Sequence, residues 1–163
     1  MIYIIDKFKH RHNSWIPLFN RITWNNRIDF IFKFKSDPAY EVPNKEDQKD
    51  TNKIFGISDS YHHHEHSIRI GWRYDTYEGK ATYCVYYYRD GKHYTEDLGP
   101  LKINQDIYVC IEIKKDCYKV TTIGKSLEIP RTSKWFGPRY FLFPYFGGQQ
   151  VAPKQFKIKI NKW

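Results

Sequence analysis

No stretch of this 163-residue chain approaches the roughly 18 consecutive apolar residues that a membrane-spanning helix needs. The N-terminus, Met1 to Asp6, has a short apolar run and then charges, without the long hydrophobic region of a secretory signal. Cysteine is scarce. The three residues Cys84, Cys110 and Cys117 are odd in number and irregular in spacing, which argues against a disulfide framework. Cys110 and Cys117 flank an expected hairpin turn and could meet across it, but reduced thiols are the simpler reading. These absences lead to the expectation of a cytoplasmic protein with no membrane partner. There is no low-complexity linker, internal repeat or sustained helical period. Also missing are a P-loop, a dinucleotide-binding glycine motif, a recognition-helix pattern, zinc-finger spacing and the RRM and KH signatures. Sequence-specific nucleic-acid binding is therefore not expected, and neither is a cofactor. Ser14, Ser58 and Ser60 lack any nucleophile-elbow context.

Aromatic residues are abundant at 18%, led by 14 Tyr and 11 Phe, which favours β structure. The net charge of +9 should attract anions, although a lysine-rich solvated surface is the plainer account. Alternation dominates the pattern. Ile28, Phe30, Phe32 and Phe34 alternate with Asp29, Ile31 and Lys33, as a half-buried strand requires. Residues 36–52 read as a long polar loop with room for one helical turn. A short strand over Lys53 to Ile57 precedes a strand from Ser67 to Tyr74. Asp90 and Gly91 mark a tight hairpin between runs 81–88 and 92–98. Further strands are expected over 107–113, 117–123, 125–129, 139–146 and 155–160, the last pairing back near the start of the chain. The fold class is all-β, a two-sheet antiparallel jelly-roll sandwich. It is expected as a single domain over 1–163, with 1–26 an N-terminal strand or arm.

Four of the seven histidines fall within five residues, at His62, His63, His64 and His66. A zinc site would need three or four ligands in tetrahedral geometry. In an extended segment His62, His64 and His66 would share one side and His63 the other. Neither the helical metalloprotease pattern nor the metallo-β-lactamase pattern fits, so no metal is expected. The following strand offers a stronger pattern. Ile68, Ile70, Trp72 and Tyr74 form an apolar face, and Ser67, Arg69, Gly71 and Arg73 the opposite one. Arg69 and Arg73 would stand about 14 Å apart, and arginine's planar fork matches carboxylate or phosphate. Both could instead pair with acidic residues on neighbouring strands. Gly71 leaves room for a ligand or another backbone. Tyr83, Val85 and Tyr87 alternate with Cys84, Tyr86 and Tyr88, and one of these sets faces outward. Tyr145, ahead of Gly147 and Gly148, stands at the rim of a site or in a simple turn.

The segments HHHEHSIRIGWR (62–73), YYYRDG (86–91) and PYFGG (144–148), with Ala152 and Pro153, resemble a group of uncharacterised bacterial and phage proteins. That group in turn resembles the concanavalin A-like jelly rolls, which include lectins, glucanases and polysaccharide lyases. The resemblance covers about Arg27 to the C-terminus and implies a ligand groove on the concave sheet. No paired-carboxylate glucanase motif and no recognisable lyase strand motif is present.

The expected function is binding of a small anionic ligand, a nucleotide-derived signal or an acidic glycan, as in a phage-type sequestering protein acting in the host cytoplasm. The expected site comprises His62, His64, Arg69, Arg73, Tyr86, Tyr88 and Tyr145. An enzyme acting on the same ligands is the rival reading. It would be a polysaccharide lyase or a metal-independent phosphodiesterase, using His62, His64 and Tyr88 as acid and base. A virion structural subunit is a third, and a homo-oligomer stays open.

Overall fold

The computed structural model describes residues 1–163, with the side chain of Phe19 left out. Twelve strands form among the described residues: β1 (Ile2–Ile5), β2 (Ile22–Thr23), β3 (Arg27–Phe34), β4 (Asn52–Ser58), β5 (Ser67–Asp75), β6 (Lys80–Arg89), β7 (Lys92–Pro100), β8 (Ile107–Ile113), β9 (Cys117–Thr122), β10 (Lys125–Pro130), β11 (Arg139–Leu142) and β12 (Phe156–Lys162). They build two six-stranded antiparallel sheets, ordered β1-β12-β3-β8-β9-β10 and β2-β11-β4-β5-β6-β7. This is the expected jelly-roll sandwich, and β12 does return to pair with β1. No helix is long and apolar enough to cross a membrane.

The core follows from the period-2 pattern. Ile28, Phe30, Phe32 and Phe34 of β3 point inward, and Ile68, Ile70 and Trp72 of β5 meet them from the other sheet. Phe34 packs edge-on to Trp72 at 5.0 Å and Phe30 edge-on to Phe55 at 5.0 Å. Each such buried side chain contributes about 1.5–3 kcal/mol of hydrophobic stabilisation. On β6 the inward set is Tyr83, Val85 and Tyr87, so Tyr86 is left to the outer face of that sheet. The expected hairpin turn forms at Asp90 and Gly91, with φ of 51° and 75°.

Two local expectations change. The stretch from Tyr61 to His66 is a compact turn, not an extended segment. Its closure is local: the Glu65 N–H donates to the His62 carbonyl at 2.9 Å, and Ser60 Oγ donates to the same carbonyl at 2.5 Å. The strand expected over 139–146 ends at Leu142, two residues before Pro144. Tyr145 then makes a single bridge to Lys53, with backbone bonds of 2.8 and 3.0 Å. The long polar loop before β4 is pinned by Gln48, whose amide donates to the carbonyls of Tyr40 and Tyr74. All three cysteines are free, and Cys110 lies opposite Thr121, not Cys117.

Candidate functional site

The outer face of the second sheet forms the floor of a cleft of about 870 Å³. Strand pairing puts its polar residues in rows. Arg69 lies opposite Tyr86, which lies opposite Thr95; Ser67, Tyr88 and His93 make the next row. Lys53 of β4 and Phe141 of β11 extend the floor, while Arg11, His12 and Arg21 come from the N-terminal arm. Tyr145, Gly147 and Gln149 form a wall, and His63 and His64 close one end.

Arg69 is the dominant feature. The residue is only 6% exposed, and its Nε has no hydrogen-bond partner. Its guanidinium makes no ion pair among the described residues, and lies 5.7 Å from the Tyr86 ring centroid. Burial pushes its pKa down, while the nearby phenols of Tyr86, Tyr88 and Tyr140 oppose that push. An arginine stays charged nonetheless. A buried charge without a partner is costly, so this one is poised to receive an anion. Gly56 makes the position sterically possible: a Cβ there would sit 2.2 Å from Arg69 Cβ.

Arg73, on the same face of β5, differs. Its Nη2 donates to Asp97 at 2.5 Å, so Arg73 has an acidic partner, on β7 two strands away and not on a neighbouring strand, whereas Arg69 has none among the described residues. Gly71, between them, admits backbone: a Cβ there would lie 2.5 Å from the Asn52 carbonyl oxygen. That space is filled by the chain itself.

The aromatic set clusters as a unit. The Tyr86 hydroxyl donates to the Tyr88 hydroxyl at 3.4 Å, and His93 stacks on Tyr86 at 5.7 Å. Burial, and then the Tyr88 hydroxyl, hold the Tyr86 phenol well above its usual range. His64 meets Tyr88 edge-on at 5.1 Å. Tyr145 stacks on His10 at 5.3 Å with an interplanar angle of 12°.

Thus six of the seven residues singled out in the sequence, His64, Arg69, Arg73, Tyr86, Tyr88 and Tyr145, line one cleft. His62 does not; it is exposed and packs on Tyr61, because the turn sends consecutive side chains in directions a strand would not. His63 takes its place. Its Nδ1 lies 3.1 Å from the Tyr140 hydroxyl, which also accepts from the His63 N–H. Burial, then the charge of Arg69, push His63 down to about 4, so it is neutral at physiological pH. Sequence reading also missed Lys53 and the N-terminal arm. No alternation flags Lys53, because a register shift interrupts β4 between Lys53 and Phe55. Among the described residues no group of three or more His, Cys, Asp or Glu is placed to hold a metal ion.

No protein-family model and no curated protein matches the sequence. Solved structures do match in fold. Alginate lyase AlyC3 superposes with a TM-score of 0.62 at 13% identity, over 99% of this chain and 74% of that one. The same protein in complex with dimannuronate gives 0.59 at 11% identity, over 99% and 73%. Alginate lyase A1-II', a member of polysaccharide lyase family-7, gives 0.52 at 11% identity, over 87% and 64%. The chain therefore has the concanavalin A-like jelly-roll fold that its sequence segments resemble.

Proposed function

We propose that the cleft binds an acidic glycan of the uronate class. The observation that carries this reading is Arg69, a buried guanidinium with an unpartnered Nε in an open, concave site. Its planar fork suits a carboxylate, and desolvation strengthens the resulting charge-assisted bonds. Tyr88 and Tyr145, both partly exposed, offer ring surface for pyranose rings together with hydroxyls that bond sugar oxygens. Two observations favour a glycan over a nucleotide-derived signal. The cleft is lined by residues on or beside all six strands of its sheet, a span of about 24 Å at about 4.8 Å per strand. A linear polymer suits that length better than a compact ligand. AlyC3, which shares the fold, has been solved in complex with dimannuronate. The test is calorimetric titration with oligomannuronate. Binding by the native protein and a loss of about 30-fold or more in Arg69→Met is the expected result, from the 2–5 kcal/mol carried by a buried charged contact. No binding to any oligouronate would overturn the reading.

A specific observation also favours catalysis. His63 is held neutral beside Arg69, and the tyrosine pair stands in the same cleft. Neutralising a uronate carboxylate acidifies the adjacent C–H. A neutral base can then remove that proton while a hydroxyl protonates the departing glycosidic oxygen, leaving an unsaturated sugar. Ultraviolet absorbance of the unsaturated product, lost in Tyr88→Phe, would establish lyase activity. Oligomannuronate recovered intact after prolonged incubation would leave binding alone.

A further inference from the structure

Arg69 has a cationic neighbour that no pattern in the sequence announced. Lys53 stands on the adjacent strand, and its Nζ makes one hydrogen bond, donated to the Gly147 carbonyl at 3.2 Å. Nζ also lies 4.8 Å from the Tyr86 ring centroid, the ring that Arg69 approaches as well. An ammonium has three donors, so two remain for a ligand. Among the described residues neither cation has a carboxylate within ion-pair distance. Titratable groups face Lys53 from every side. Arg69 comes from β5, Tyr86 and the buried thiol of Cys84 from β6, Asp50 from the loop before β4, and His64 from the turn. The backbone carbonyl of Gly147 completes the surround.

We propose that Lys53 is the charge-selecting residue of the cleft, closing with Arg69 on one anionic group of the ligand and taking up a proton as it does so. The proposal rests on the acidic-glycan reading and sharpens it. Two adjacent unpaired cations repel each other, and an anion placed between them turns that repulsion into attraction. Burial first, and then the charge of Arg69, push the free amine down to about 8. A bound carboxylate reverses the second effect, so the bound-state value lies above the free-state value. The sign follows from linkage: Lys53's contribution to affinity is fully present below about pH 8 and lost as pH rises above it. A uronate carboxylate stays ionised throughout that range. The neighbours do not mimic the effect. Burial moves His64 below its usual range and His63 to about 4, and it moves Cys84 up to about 12 and Tyr86 higher still.

The experiment is titration calorimetry of the full chain with tetramannuronate, in buffers of different ionisation heat. Uptake of about half a proton per ligand is expected near pH 8, and affinity should fall about tenfold per pH unit above it. Lys53→Arg, whose charge does not titrate, should bind with flat affinity over pH 7–9.5. Lys53→Met should lose about tenfold or more at pH 7 and show no proton uptake. Should Lys53→Met fail to fold, the native protein's proton uptake and the Lys53→Arg profile decide the matter. Binding that needs Arg69 yet is flat with pH and indifferent to Lys53→Met overturns the proposal and leaves the glycan reading standing. No binding by the native protein at any pH overturns both.

Discussion

The molecule buries arginine in two places, and the two are built on opposite terms. Just beyond β4, Asp59 is completely buried and accepts hydrogen bonds from Arg131 Nε at 2.5 Å, Arg139 Nε at 3.0 Å and the Tyr118 hydroxyl at 2.7 Å. Arg139 also reaches Asn26, and Arg131 the Trp135 carbonyl, so most donors there have an acceptor inside the protein. Arg69 is as deeply buried as Arg139, yet it has no carboxylate and an idle Nε. Burial and charge are common to both regions; only satisfaction separates them. An arginine whose partners are internal staples the fold, whereas one whose partner is absent waits for it to arrive from outside. That contrast, more than the histidine-rich turn, is what supports the cleft as the proposed site.

The contrast breaks most sharply at Asp59. Asp59→Ala leaves two buried guanidinium groups and a buried phenol without their shared acceptor, and should destabilise the protein by about 3–5 kcal/mol. Thermal or urea denaturation would measure it, and a loss below about 1 kcal/mol would show that the cluster is not the staple described. Arg69→Met should act in the opposite direction. Removing an unpartnered buried charge and filling its space with an apolar side chain should leave stability unchanged or raise it by about 1–4 kcal/mol, while oligouronate binding is lost. If this variant unfolds as readily as Asp59→Ala, Arg69 is structural and the comparison collapses.

Acid should sharpen the same comparison through His63. Its folded pKa, about 4, lies below the ordinary value of 6.5. The unfolded chain therefore binds that proton more readily. Stability from the neutral ring is fully present above about pH 6.5 and is lost as pH falls towards 4. Because the ring is half-exposed, solvent screening limits the effect to about 1 kcal/mol. Comparing urea midpoints at pH 7 and 4.5 for the native protein and His63→Gln isolates it; an identical acid shift in both would remove His63 from the account.

Much of this architecture was legible in the sequence because sheets write their faces at period 2. The alternation of Ile68, Ile70 and Trp72 against Ser67, Arg69 and Arg73 told which side of β5 was core. The same rule grouped Tyr86 with Tyr88, though only packing decided that Tyr83, Val85 and Tyr87 were the buried set. Legibility failed where the backbone left that period. The histidine window is closed by Ser60 Oγ and its own backbone, so its side chains follow turn geometry; an extended reading chose His62 where the structure offers His63. Lys53 sits at a register shift, and its closeness to Arg69 arises from strand pairing. Arg11, His12 and Arg21 belong to an arm with no periodic signal, carried to the cleft because β1 and β2 lie at the edges of opposite sheets.

The smallest expected effect falls on Arg73, and it tests whether satisfaction matters even between neighbours. Arg73 shares a strand face with Arg69, but it is partly exposed and already paired with Asp97. Exposed ion pairs are worth about 0–1 kcal/mol, so Arg73→Ala should change stability by about 0.5 kcal/mol. A ligand carboxylate would have to compete with Asp97 for that guanidinium, so oligouronate affinity should fall by only a few-fold. Asp97→Asn frees Arg73 without removing it, and should strengthen binding slightly. If Arg73→Ala instead abolishes binding as completely as Arg69→Met, an internal partner does not disqualify an arginine from the site. The cleft would then be read as a two-arginine track along β5, with Asp97 as its resting counter-ion.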